Sequence, residues 1–274
     1  MSSDETADRS PVVPVSVVIP AYQCRDTITR AINSVFAQTC LPRETIVVDD
    51  GSTDGTAEIV NELSQSQGSD WLKIIVRPEN GGPSLARNLG WSVATQPYIA
   101  FLDADDSWHP RKLEVQYRYM KTRPDVDITA HRSIGYRDPP QDFHAGRPHR
   151  DKPISRGVLL LSNRLPTSTV MLKRELPLRF DSEKRVSEDY LLWLELICGD
   201  YKGVIIDAPL ALKYKAAYGE GGLSARLWEM ELGEIDTYRQ LSEKRLIHRF
   251  WQLLLIPWSL AKYVLRVLIT LLRR

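Results

Sequence analysis

The stretch YIAFLDADDSWHP, Tyr98–Pro110, begins as a short apolar run and ends in three carboxylates, Asp103, Asp105 and Asp106. Three earlier runs share its first half: VSVVIP (15–20), ETIVVDD (44–50) and LKIIVR (72–77). Each is almost continuously apolar, as strands covered on both faces are. The intervening segments have helical periodicity. DTITRAINSVFAQT places Ile28, Ile32, Val35 and Phe36 on one stripe, DGTAEIVNELSQSQ does so with Ile59, Val60 and Leu63, and GPSLARNLGWSVAT with Leu85, Leu89 and Val93. The resulting order, β-α-β-α-β-α-β, predicts a parallel sheet with right-handed crossovers. Such sheets bind ligands beyond the carboxyl ends of their strands. Asp49 and Asp50 end the second strand and Asp103 the fourth, so both clusters are expected to face one crevice.

Close carboxylates repel one another unless a cation or a donor-rich ligand compensates them. On an extended segment, Asp103 and Asp105 would project to the same side. Paired hard oxygens suit Mg²⁺ or Mn²⁺, ions that keep water and share their coordination with a diphosphate.

The order and spacing of VSVVIPAY, VDDGSTDGT, ARNLG, FLDADD and SEDYLLW resemble glycosyltransferase family 2, over about Val15–Leu223. The resemblance implies an α/β fold of the glycosyltransferase A type, with a Rossmann-like nucleotide-binding half and a mixed central sheet. It implies transfer with inversion from a nucleotide-sugar donor to a carbohydrate or lipid-linked saccharide acceptor. Pro20, Tyr22 and Asp50 would hold the base and ribose, Asp103 and Asp105 would form the Asp-x-Asp motif with Asp105 as main metal ligand, and Asp189 would be the catalytic base. Many relatives carry a histidine after the base-bearing helix; ALKYKAAYGEGGLSARLW (211–228) has none. Lys213 or Lys215 could supply the positive charge, with Lys215 preferred as nearer the glycine-rich GEGGLS (219–224), which reads as a loop that closes over the site or as a plain connection.

The residues also have blander readings. DDGSTDGT is a strand-to-helix turn with its own cap candidates, Thr53 and Asp54, which leaves the Asp50 carboxylate free to accept from a base. Ser187 can cap a helix whose first turn carries Glu188 and Asp189, acids that the helix dipole alone would explain. Arg87 either assists the diphosphate or salt-bridges to the aspartates. Trp108 either stacks on a sugar face or packs under the loop, with packing favoured, Trp193 reads as core, and PTSTVMLKRE (166–175) as a strand on the acceptor side. His144 and His149 fall in a proline- and charge-rich exposed loop, 136–156. Two rival functions remain: a phosphotransferase of the haloacid dehalogenase class, which also ends a strand in Asp-x-Asp but usually the first strand, and a catalytically silent nucleotide-sugar binding module.

At 274 residues and 43% apolar content the chain can bury a substantial core. Three cysteines without CxxC spacing point to a reducing compartment and no structural zinc. Residues 1–14, acidic and proline-bearing, are expected to be a flexible tail without a signal peptide, followed by a catalytic domain at 15–225 and a helical region at 226–274. The net charge of +1 hides an asymmetry, because Lys244–Arg274 carries seven Lys or Arg and no Asp or Glu, leaving the rest at −6. The apolar content of this basic tail favours an anionic membrane surface over nucleic acid. A spanning helix would place Lys262 and Arg266 near mid-bilayer at roughly 2.5–3.5 kcal/mol each. Lying in the interface lets them meet headgroups instead; a packed helix is the other alternative. Pro257 is expected to kink the tail or to start a second helix. The enzyme is therefore expected at the cytoplasmic face of a membrane, with a tail dispensable for donor binding.

Overall fold

The structure, a computed structural model, describes residues 10–66, 71–135, 151–215 and 226–272. Its first half follows the predicted alternation: β1 (Val12–Ala21), α1 (Arg25–Phe36), β2 (Leu41–Asp49), α2 (Thr56–Ser66), β3 (Leu72–Val76), α3 (Pro83–Val93) and β4 (Tyr98–Phe101). β1 lies between β2 and β4, β3 lies outside β2, and all four are parallel. Alternate β1 residues reach opposite faces of the sheet, as the period of two requires. Val17 and Ile19 join one apolar cluster and Val18 the other, all fully buried.

The expected face of α3 is rotated. Val93 is exposed, while Ala86, Arg87, Gly90 and Trp91 are buried. The cause is a close approach: a Cβ on Gly90 would lie 2.5 Å from Val18 Cγ1. The helix thus packs on its small residues and turns Arg87 inward.

The second half adds β5 (Ser107–Trp108), α4 (Lys112–Thr122), β6 (Ile128–Gly135), β7 (Lys152–Pro153), α5 (Arg156–Leu161), β8 (Met171–Lys173), α6 (Glu188–Cys198) and β9 (Gly203–Lys213). The sheet runs β3-β2-β1-β4-β8-β6-β9-β5, with β7 on β9. β8 is antiparallel to both β4 and β6, making the sheet mixed. Within the expected strand 166–175 only these three residues pair; a 3-10 turn at Thr167–Thr169 precedes them.

Two helices close the described chain, α7 (Leu227–Glu243) and α8 (Phe250–Leu272). Tyr238 and Leu241 of α7 and Leu255 of α8 belong to the larger core cluster. α8 runs through Pro257 as one helix, without starting a second. Its polar stripe faces the protein. Lys262 Nζ pairs with Glu234, and Arg266 reaches Glu234 Oε2 at 3.0 Å and Glu231 Oε2 at 3.7 Å. The expectation that Lys262 and Arg266 meet lipid headgroups is therefore corrected: buried α7 carboxylates already compensate them. Burial works against the charge on Glu234, but Lys262 and Arg266 outweigh it and hold the carboxyl below the usual range.

Candidate active site

The carboxyl ends of β1, β2 and β4 open into one cleft. Pro20 and Tyr22 line it at the end of β1, Asp50 after β2, Arg87 from α3, Asp103 and Asp105 after β4, and Lys215 after β9. All seven expected donor and metal residues are thus neighbours. Tyr22 is half exposed at the rim, where its ring is available for stacking.

The turns after β1 and β2 are locked together. Gln23 N–H donates to Ser52 Oγ and Gln23 Nε2 to Thr53 Oγ1, both at 3.0 Å, and Arg25 N–H donates to Asp54 Oδ2 at 3.0 Å. Asp54 Oδ1 also accepts from the Thr56 amide and hydroxyl at the start of α2, at 3.1 and 2.6 Å. Ser52–Gly55 is thus largely scaffold. Asp50 departs from expectation. It is buried, its carboxylate pairs with Arg77, and it accepts from the Gly81 N–H at 3.1 Å and the Gly82 N–H at 2.7 Å. It borders the cleft but is not a free acceptor; it braces the turn into α3, where Gly82 adopts φ +94°, a region suited to glycine.

Arg87 makes the salt bridges of its second reading while still lining the cleft. Nη2 donates to Asp103 Oδ1 at 2.8 Å and Nη1 to Glu188 Oε1 at 2.7 Å. Burial alone would lower its pKa, yet Asp103 and Glu188 raise it, so it remains charged. Burial pushes the Glu188 carboxyl up to about 7 against the pull of Arg87, and the neighbouring Asp189 adds to the rise. Glu188 was missed as a site residue because an acid in a first helical turn has an ordinary explanation.

Asp103–Asp106 forms a turn rather than an extended segment, closed by the Asp106 N–H to Asp103 O bond of 3.0 Å. Asp105 Oδ2 pairs with Lys215 at 2.9 Å, and Arg30 of α1 holds the Asp105 carbonyl at 2.8 Å while stacking on Tyr214. Nothing in the α1 pattern distinguished Arg30. Asp106 turns inward and accepts from Ser168 Oγ at 2.7 Å; burial, then the Asp103 charge, pushes it up to about 7. Asp103 and Asp105 remain partly exposed, at 30% and 36% of their side chains, and among the described residues Asp103 Oδ2 and Asp105 Oδ1 accept no hydrogen bond. These two hard oxygens fit a divalent cation that fills its other positions with water and phosphate. No group of three or more His, Cys, Asp or Glu suited to a metal occurs among the described residues.

Asp189 does not line the cleft; it lies in the first turn of α6, next to the Glu188–Arg87–Asp103 chain. Oδ2 accepts from Thr167 Oγ1 at 3.2 Å and Asn163 Nδ2 at 3.3 Å, and Oδ1 from the Tyr190 N–H at 2.6 Å. Ser187 is not the expected side-chain cap. Its backbone is left-handed, at φ 57°, and its hydroxyl is directed to Met230 O at 3.5 Å. Trp108 packs, with Nε1 on Ser168 O at 2.8 Å, and Trp193 is fully buried. The 1–9 segment, the loop with His144 and His149, the GEGGLS run, and Arg273 and Arg274 lie outside the described residues.

A family model described as glycosyl transferase family 2 matches residues 16–180. A teichuronic acid biosynthesis glycosyltransferase by name, TuaG of Bacillus subtilis (strain 168), is 29% identical over 86% of this chain and 92% of its own. WfaP of Escherichia coli, named a UDP-Glc:α-D-GlcNAc-diphosphoundecaprenol β-1,3-glucosyltransferase, is 33% identical over 67% of this chain and 70% of its own. In structure, the mannosyltransferase PcManGT from Pyrobaculum calidifontis, in complex with GDP-Man and Mn²⁺, aligns with TM-score 0.63 and 18% identity over 90% of this chain and 73% of that one.

Proposed function

Because the chain belongs to glycosyltransferase family 2, we propose that its cleft binds a nucleotide sugar and transfers the sugar, with inversion, to a hydroxyl of a lipid-linked saccharide in cell-surface polysaccharide assembly. The observation that carries this is the gathering of Pro20, Tyr22, Arg87, Asp103, Asp105 and Lys215 at one sheet edge, beside the helix that begins with Glu188 and Asp189. The names of the relatives support the acceptor class. Family membership displaces the phosphotransferase alternative.

In this reading Tyr22 stacks on the base, Pro20 shapes its seat, and Asp50 fixes the Gly81–Gly82 turn. Lys215, together with Arg185 and Arg226 on the same cleft wall, attracts the diphosphate. Mn²⁺ or Mg²⁺ bound by Asp103 and Asp105 supplies further compensation for the charge of the leaving diphosphate. Asp189, oriented by Thr167 and Asn163, takes the proton of the acceptor hydroxyl as its oxygen attacks C1. The bond from C1 to the diphosphate oxygen breaks, and one displacement inverts the centre. Arg87 keeps Asp103 and Glu188 in register without needing to touch the donor. Residues 15–225 carry the rest of this chemistry; 226–274, which lend Arg226 to the cleft wall, attach the enzyme peripherally to the cytoplasmic face of a membrane.

The test is thermal stabilisation by UDP-, GDP- and dTDP-sugars with and without Mn²⁺. One donor is expected to raise Tm in a metal-dependent way, and Asp105→Ala to abolish the metal-dependent part. No stabilisation by any donor would refute the nucleotide-sugar site, and unchanged metal dependence in the variant would remove Asp105 from it. Metal-dependent binding without transfer to any acceptor would favour the silent module.

A further inference from the structure

α8 is amphipathic in the opposite sense to an ordinary surface helix. Over its 23 residues Gln252, Ser259, Lys262, Arg266 and Thr270 lie on the side facing the protein, and Leu255 and Ser259 are buried there. At 100° per residue, Phe250, Leu253, Leu254, Leu265, Leu268 and Leu272 fall on the opposite half of the circumference, and all are exposed. That half, about 35 Å long, contains no polar side chain. A stable monomer rarely exposes so continuous an apolar surface.

Several observations select the occupant. Helix pairing uses a narrow seam of two positions in seven; this arc is about 180° wide and convex, which suits a fluid apolar phase. At its N-terminal end Arg239, Arg245, His248 and Arg249 line a cleft with Glu243 as its one acid, a rim of net positive charge complementary to anionic headgroups. Trp251 and Trp258, seven positions apart, fall on one flank between the apolar arc and the protein-facing stripe, with Trp258 Nε1 on Leu161 O, the place aromatic side chains take at lipid–water boundaries. Tethering to the protein opposes a crossing, although α8 has the length and apolar content for one. Lys262 and Arg266 bind α7, Trp258 Nε1 and Lys262 Nζ bind Leu161 O at 3.0 and 2.8 Å, and α7 is fixed through Tyr238 in the core.

We propose that α8 lies in the plane of an anionic bilayer with its apolar arc among the acyl chains, the Arg239–Arg245–Arg249 rim against the headgroups, and the donor cleft at the far end of the helix pair held beside the lipid surface. The orientation follows from the antiparallel pairing. Lys262 meets Glu234 and Arg266 meets Glu231, so the C-terminal end of α8 returns to the start of α7, where Arg226 and Glu229 border the donor cleft. This placement deepens the lipid-linked acceptor reading and rests on it only for the identity of what the cleft meets there.

The experiment is flotation of the full chain with vesicles of phosphatidylcholine containing phosphatidylglycerol, alongside stabilisation by UDP with Mn²⁺. The double variant L265E/L268E should lower the bound fraction by about tenfold or more and leave the UDP effect unchanged. R245Q/R249Q should lower it a few-fold and remove most of its salt sensitivity. In the wild type, brominated lipid should quench tryptophan fluorescence, a readout that needs no variant. Wild-type protein that ignores vesicles overturns the proposal, and so does a dimer that L265E/L268E converts to monomer without any lipid binding. Attachment that survives alkaline extraction also overturns it, in favour of a span. Failure of the donor reading looks different: vesicle attachment intact, with no nucleotide effect.

Discussion

Arg87 shows how a single guanidinium at the cleft wall can organise a site. It is 7% exposed by side chain and joins the carboxylate of the Asp-x-Asp turn to the helix bearing the proposed base. Arg87→Met would strand two carboxylates, one of them buried, at a cost of about 3–5 kcal/mol, measurable as a lower urea midpoint. The loss should grow with pH. Glu188 holds its proton up to about 7 in the folded protein but releases it near 4.5 when unfolded, so its contribution to stability declines as pH rises from 4.5 to 7 and is then constant. Removing Arg87 makes the ionised form costlier still; Glu188→Gln should flatten that window. Asp189→Asn separates chemistry from binding: transfer should fall by about 10²–10⁴ while donor affinity holds, and equal loss of both would make Asp189 structural. Sequence showed Asp103, Asp105 and Asp189 because acids follow a buried strand or open a helix within motifs. It could not show Arg30, which reaches Asp105 across 75 positions, or the engagement of Asp50 by Arg77 and two backbone amides, because those contacts exist only after folding.

Elements divide into those specified by local pattern and those specified by neighbours. The four parallel strands were legible because continuous burial writes continuous apolar runs. The face of α3 was not, since a glycine's close approach leaves no apolar signature. Gly90→Ala should therefore destabilise by about 1–3 kcal/mol through overpacking against Val18, although alanine is the better helix former by about 1 kcal/mol. Gly157→Ala in α5, with nothing within 4 Å of the added methyl, should stabilise by about 0.5–1 kcal/mol; chemical denaturation of the pair isolates the packing effect. α8 illustrates the same limit. Its polar stripe was readable from spacing, but which side faced the protein depended on Glu231 and Glu234, which the sequence places on another helix.

At the scale of the molecule, the C-terminal helices are not an appendage. Deleting Lys244–Arg274 removes Ile247 and Leu255 from the core, on the order of 3–6 kcal/mol for two buried aliphatic side chains. The truncated protein should thus show a markedly lower Tm even though every cleft residue, and with them the expected donor binding, remains; an unchanged Tm would mean that α8 adds nothing to the core. The sheet order carries a consequence in time. β8 fills the place beside β4, yet the chain between Phe101 and Met171 is roughly 70 residues, on the order of 4–14 s of synthesis at about 5–20 residues per second. Throughout that interval a nascent chain can complete the four parallel strands while β4 still offers an unpaired edge to any neighbouring peptide. Slowing the ribosome over residues 110–170 should lengthen this exposure and raise the fraction lost to aggregates or captured by chaperones, with no change in the finished protein.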